Sequence, residues 1–247
     1  MKKILILLLL FTGICWSQTD FDEANKAYKK GNYEKATQLY QKIVDSGLES
    51  CDLYYNLGNA YFKQDSLANA IFYYEKALLI SPNDKDIQNN LAFAKSKTID
   101  AIEELPKVGF NKLMHEFTGL FHYNTWGKFA IIWSFIMVLL FAGYYFSEKS
   151  LQKRIFFIAM FIAPFMMLTT LFAAWFEKYL YESENPAIIF ESILSVKNEP
   201  RSKAIEAFQL HEGTKVYIVE ELDGWYRIQL QDETEGWIPE ESVRMIK

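Results

Sequence analysis

Cysteine is almost missing from this chain: Cys15 and Cys51 are the only two. Cys15 lies in an apolar leader, so a processed chain keeps Cys51 alone and no intramolecular disulfide can form. Histidine is equally scarce, with His115, His122 and His211 as the full set. No HExxH, no CxxC pair and no glycine-rich phosphate loop occurs, which excludes the common zinc, dithiol and nucleotide chemistries. His115 and His122 lack the further ligands that zinc requires and read as polar residues of a membrane interface. Positive charge is not in excess, since 26 Lys and Arg stand against 31 Asp and Glu. No basic patch marks a nucleic-acid surface. The acids are scattered as solvated faces, and none pair as a catalytic set. Cys51 has no catalytic partner nearby in sequence and no resolving thiol for a redox switch. The expectation is a protein with no enzymatic activity and no cofactor.

What the chain does have is hydrophobic length. Residues 129–146 and 155–176 are uncharged runs of 18 and 22 residues, and about 20 suffice for a helix to cross a bilayer. A core helix normally keeps a polar stripe; these runs have only isolated Ser134, Thr169 and Thr170. Spans are expected over 126–146 and 155–176, with Pro164 tolerated in the second. The connection 147–154 forces a hairpin, and Lys149, Lys153 and Arg154 put it in the cytoplasm. Both flanking regions then face the periplasm or the cell exterior. Met1-Lys2-Lys3, the apolar Ile4–Ile14 and Cys15-Trp16-Ser17 read as a signal peptide over 1–17. Lipidation at Cys15 is the alternative, although Ile14 stands where a lipobox has a small residue. An uncleaved leader would be a third anchor and would export the next domain all the same. Phe110, Leu113, Met114, Phe117, Leu120 and Phe121 recur at helical spacing and predict an amphipathic interfacial helix over 108–124.

Between Asp20 and about Lys107 the sequence repeats every 34 residues. Phe21 aligns with Tyr55, Ala24 with Gly58, Asn25 with Asn59, Lys29 with Lys63, Ala36 with Ala70 and Tyr40 with Tyr74. The copy from Cys51 to Asp84 carries Tyr54, Leu57, Gly58, Tyr61, Ala70, Tyr74, Ala77 and Pro82 and resembles a tetratricopeptide repeat. The region 18–107 divides into copies at 20–50 and 51–84 and a cap helix over 85–104. This is short for a solenoid, so the segment up to Tyr123, or a partner, is expected to cover the last repeat. The resemblance implies binding of peptides or protein segments on the concave face of the first helices. There it places Phe21, Asn25, Tyr28 and Lys29, then Tyr55, Asn56, Asn59 and Lys63, and finally Asn89 and Phe93. Asn25 and Asn56 match a clamp that some relatives use for a terminal carboxylate, while Phe21 and Asp86 depart from it.

The last sixty residues alternate with period two. Strands are expected at Lys215–Val219, Trp225–Leu230, Trp237-Ile238 and Val243–Ile246, with an Asp223-Gly224 hairpin turn. Many short strands suggest a small barrel. Gly213, Gly224-Trp225-Tyr226 and Gly236-Trp237-Ile238-Pro239 resemble a bacterial SH3 domain over 187–247. The resemblance implies a binding face with Trp225, Tyr226 and Trp237, for wall peptides, glycans or protein segments.

The fold class expected is a multi-domain membrane protein with an all-α tetratricopeptide solenoid, a two-helix transmembrane hairpin and a small all-β SH3-like barrel. That order resembles the BatE-type members of the bacterial aerotolerance (Bat) proteins. Such a resemblance implies an inner-membrane scaffold with both terminal domains periplasmic. It also implies partners among von Willebrand factor A-type membrane proteins and a MoxR-type ATPase system, and a link to envelope stress. The alternative is a protein that binds peptidoglycan, or senses the envelope, through the barrel.

Overall fold

The computed structural model describes residues 20–100, 102, 114 and 116–247. The leader with Cys15, and Phe110, Leu113 and His115 of the expected interfacial helix, lie outside the described residues. Helical residues 20–29 (α1) are followed by α2 (Tyr33–Asp45), α3 (Cys51–Phe62), α4 (Leu67–Ile80) and α5 (Lys85–Lys95). Caps explain their starts. Asn32 accepts the Lys35 amide at 3.1 Å, Ser50 accepts that of Leu53 at 3.1 Å, and Asp84 accepts those of Asp86 and Ile87. Pro82 lies just past the end of α4 and cannot continue it.

Small residues let the repeat helices approach. A Cβ built on Gly58 would meet the Tyr74 ring at 2.7 Å and the Ala70 carbonyl at 3.3 Å. Tyr40, Leu57, Ile71, Tyr74 and Ile87 fill the resulting core. Helix α4 is buried nearly all round, with Ala68, Ala70, Ile71, Phe72, Tyr73, Tyr74, Glu75 and Ala77 all enclosed. A helix of that kind needs neighbours on every side. Helices α3 and α5 supply two of them.

The third neighbour is the C-terminal sheet. Its strands are β1 (Pro186–Ile189), β2 (Ile193–Lys197), β3 (Glu206–His211), β4 (Lys215–Leu222), β5 (Trp225–Gln229), β6 (Glu235–Pro239) and β7 (Val243–Met245). They pair antiparallel in the order β3-β2-β6-β5-β4-β1-β7. Asp223 and Gly224 take φ of +49° and +79°, as a two-residue primed turn demands, and close the β4–β5 hairpin at Leu222 and Trp225. Ala187, Ile189, Val196, Val216, Ile228 and Ile238 form the sheet's own core.

Strand β1 is buried on both faces. Ala187 and Ile189 join the sheet core, while Ile188, with Phe190 and Ile246, joins the core of the repeats. The described residues before Pro106 and the segment Asn185–Lys247 therefore form one compact unit rather than two separate modules. The sheet covers α4 after the last repeat.

The second unit holds α6 (Tyr123–Phe146) and α7 (Ser150–Ser183), packed against each other. Both are long and apolar enough to cross a membrane. Only 6% and 11% of their most apolar windows are buried, and Leu139 and Phe161 are 69% and 66% exposed. Core helices of a soluble protein would be covered. A Cβ on Gly143 would touch Phe156 at 2.8 Å, so glycine permits close approach at this end of the pair. Trp126 Nε1 donates to the Thr118 carbonyl at 2.6 Å, and the Thr118 hydroxyl bonds the Glu177 carboxylate. The connection is shorter than the charge pattern suggests, with 147–149 non-helical, because Leu151, Gln152, Lys153 and Arg154 are good helix formers. The expected interfacial helix is interrupted at 119–122, where the chain turns and the His122 side chain caps α6.

Candidate functional site

Two side-chain ladders organise the repeat helices. Asn25 Oδ1 accepts from the Tyr40 hydroxyl at 2.6 Å and from Asn56 Nδ2 at 3.3 Å. One repeat later, Asn59 Oδ1 accepts from the Tyr74 hydroxyl at 2.7 Å and from Asn90 Nδ2 at 2.8 Å. Asn90 Nδ2 also reaches the Tyr55 hydroxyl at 3.1 Å. Each asparagine thus ties its helix to the second helix of its own repeat and to the first helix of the next. Burial pushes the Tyr40 phenol up to about 12, with Tyr28 adding to the effect, and raises that of Tyr74 further. Both hydroxyls stay protonated donors at neutral pH. The side-chain oxygens of Asn25 and Asn59, both expected as ligand contacts, hold α1, α3 and α5 side by side.

The remaining expected residues lie along these three helices. Phe21 packs on Tyr40 at 5.8 Å, Tyr28 on Tyr33 at 5.2 Å and Tyr55 on Tyr74 at 6.1 Å. All three are half-buried, as is Asn56, while Lys29, Lys63, Asn89 and Phe93 are exposed. Phe93 leans on Phe62 at 5.5 Å and still leaves 57% of its surface open. Lys97 Nζ stands 5.4 Å from the Phe62 ring and 5.5 Å from that of Phe93, near enough for a cation–π contact. Asn90 and Lys97 escaped the sequence reading, although each follows an aligned residue, Asn56 or Lys63, by one 34-residue period.

On the sheet, register sorts the aromatics. Arg227 pairs with Trp237 and Trp225 with Pro239, so Trp225, Arg227 and Trp237 share one face. Arg227 bonds Glu220 at 2.9 Å and approaches Glu235 at 3.7 Å on that face. Tyr226 pairs with Ile238 and points the other way, against the sheet core. Of the expected trio, the two half-exposed tryptophans flank an arginine on one face, and the part-buried Tyr226 lies on the other.

Two polar clusters fasten the sheet to the repeats. Glu75, 7% exposed, meets Lys215 Nζ at 2.8 Å and Lys95 Nζ at 3.0 Å. Burial alone would raise its carboxyl pKa, but the two lysines together hold it below the usual range. Asp100 accepts from the His211 amide at 2.6 Å, the Thr214 hydroxyl at 2.6 Å and faces His211 Nδ1 at 2.7 Å. Partial burial pushes that carboxyl up, and the bonds from Thr214 and His211 outweigh it, so the group is lowered. Above them, Arg244 stacks over Phe190 at 4.2 Å and over Phe72 at 5.1 Å.

Cys51 is half-buried, its Sγ lies 3.7 Å from the Ala77 carbonyl, and burial raises its thiol pKa. That is the opposite of an activated thiolate. Among the described residues no three His, Cys, Asp or Glu side chains come together as a metal set would require.

Comparison with protein families agrees with this arrangement. A tetratricopeptide repeat model matches residues 51–84, and a variant SH3 domain model matches residues 190–246. The chain is similar over those segments to two kinds of non-catalytic interaction module, one helical and one built on an antiparallel sheet.

Proposed function

We propose that this protein is a non-enzymatic scaffold held in a bacterial inner membrane, with its repeat-and-sheet unit in the periplasm. The observation that carries the reading is the core shared by Ile188, Phe190 and Ile246 with the repeats. Its two halves lie on either side of the apolar pair in sequence, and they can pack only on the same side of a bilayer. Two crossings return the chain to the side it left, and the cationic Lys149, Lys153 and Arg154 favour the cytoplasm for the turn between them. The resemblance to BatE-type proteins supplies the partners of this scaffold, namely von Willebrand factor A-type membrane proteins acting with a MoxR-type ATPase in envelope stress.

The partner-binding face on this reading is the open side of α1, α3 and α5, with Tyr55 and Phe93 as its aromatic contacts. Cross-linking in intact cells tests it, with the tagged full chain purified in detergent beside a Tyr55→Ala/Phe93→Ala variant. Capture of von Willebrand-type membrane proteins by the parent, and its loss in the variant, is the expected result. Equal capture by both would remove the repeat face from the reading.

A second reading rests on Trp225 and Trp237 sharing one half-exposed face. Paired aromatics suit a sugar or a wall peptide, and the face would then grip peptidoglycan. Co-sedimentation of the full chain with wall sacculi, abolished by Trp225→Ala/Trp237→Ala, would favour it over a purely protein-binding scaffold.

A further inference from the structure

One row of the repeat face carries charge at the repeat period. Lys29, Lys63 and Lys97 are 34 residues apart in turn, all exposed, and each stands at the C-terminal end of α1, α3 or α5. A cation at a helix C-terminus is favoured by the helix dipole, which accounts for any one of them. It does not account for their alignment with a second row, Tyr28 and Phe62, that also repeats every 34 residues. Lys97 lies over both Phe62 and Phe93, so the two rows meet across the gap between α3 and α5.

Among the described residues, these lysines form no ion pair. Lys42, Lys95, Lys178 and Lys215 are all paired with carboxylates. The nearest acids that follow them in sequence are Glu34, Asp65 and Asp100; Asp100 is taken up by His211 and Thr214, and among the described residues Glu34 and Asp65 form no ion pair with the lysines. The acids Asp52 and Asp86 sit in the first turns of α3 and α5, at the far ends from the lysines. The face is therefore basic along one edge and apolar beside it.

We propose that this edge selects an extended partner segment whose acidic side chains recur about every third residue, with apolar or aromatic residues between them. The proposal rests on the repeat-face reading above. Packed helices lie about 8–10 Å apart, and an extended chain advances about 3.3–3.6 Å per residue. A ligand crossing α1, α3 and α5 thus meets one lysine roughly every three residues. Its carboxylates pair with Lys29, Lys63 and Lys97 while the intervening side chains rest on Tyr28, Phe62 and Phe93.

The test uses the full chain in detergent and two labelled peptides of about twelve residues. One has Glu at positions i, i+3 and i+6 with Phe or Leu between; the other has Gln in place of each Glu. The acidic peptide is expected to bind at least tenfold more tightly, to weaken with added salt, and to lose at least tenfold with Lys29→Gln/Lys63→Gln/Lys97→Gln. Tyr55→Ala should weaken both peptides. Equal binding of the two peptides, with no effect of the lysine changes, overturns the acidic selection and leaves the repeat face standing. Acidic binding that survives the lysine changes and Tyr55→Ala alike overturns both. Binding of neither peptide overturns the acidic selection, and cross-linking then decides the face independently.

Discussion

Glu75 of α4 and Lys215 of β4 form an ion pair at 2.8 Å that joins positions 140 residues apart in the chain. The carboxylate is shielded from water, and Lys95 holds its other oxygen. Removing Lys215 leaves a buried charge half-compensated, which typically costs about 3 kcal/mol. Lys215→Met is expected to destabilise the repeat-and-sheet unit by that amount in denaturant unfolding, and Glu75→Met/Lys215→Met to recover most of it. A double variant no better than the single one would mean that the pair contributes through its geometry rather than by cancelling a buried charge.

The Asp100 cluster makes the same junction sensitive to acid. Its carboxyl is lowered in the folded chain, so its contribution is complete above the ordinary carboxylate pKa of about 4. That contribution is lost as pH falls through the lower, folded value. Glu75 shifts in the same direction and adds to the slope. Thermal midpoints measured from pH 6 down to pH 3 should therefore fall steeply only below about pH 4, and less steeply in Asp100→Asn. An unchanged slope in that variant would show that the acid sensitivity lies elsewhere.

Gly213 and Gly224 separate close approach from backbone strain. Both have φ near +80°, at +86° and +79°. A Cβ on Gly213 would come within 2.9 Å of Thr98 Cγ2 and 3.0 Å of Ile71 Cδ1, whereas one on Gly224 meets nothing. Gly224→Ala should cost only the left-handed strain, about 1–2 kcal/mol, and Gly213→Ala an additional 1–3 kcal/mol or so from overpacking. Equal losses in urea unfolding would mean that the β3–β4 turn yields without cost.

Asn59 and Phe93 should part company in the same experiment. Asn59→Ala strands the buried Tyr74 hydroxyl and unties Asn90, for a loss of about 1–3 kcal/mol. Phe93→Ala removes a side chain that is already 57% exposed and should change stability by less than about 0.5 kcal/mol while weakening partner capture. A stability loss for Phe93 as large as that for Asn59 would make it a packing residue.

Much of this was legible in the sequence because it is periodic. The 34-residue spacing marks the repeat helices, and it lines up Asn25 with Asn59 and Tyr40 with Tyr74, although not the bonds that each pair makes. Uncharged length marks α6 and α7, and period-two alternation with Asp223-Gly224 marks the β4–β5 hairpin. Parity along β5 alone turns Tyr226 away from Trp225; what the sequence leaves open is the register with β6 that puts Trp237 on the face of Trp225. The junction was not legible, since nothing local in Glu75, Asp100, His211 or Lys215 signals a partner more than a hundred residues away. The one hint was compositional. Helix α4 has too few solvent-facing positions for the terminal helix of an array, and Pro186–Ile189 is apolar at every position, which a strand with one wet face would not be.

The shared core also sets an order of events during synthesis. The repeats are made first, at a time when the outer side of α4, with Ala68, Ile71, Phe72 and Glu75, still has nothing against it. Some eighty residues, both apolar helices among them, are translated and placed before Ile188 and Phe190 are added, and Ile246 follows later still. At about 5–20 residues per second the ribosome leaves that side open for several seconds in every copy. The repeat core is thus completed by residues translated well after the repeats themselves, and a premature stop between the second apolar helix and Ile188 leaves it unfinished although every residue of the repeats is present.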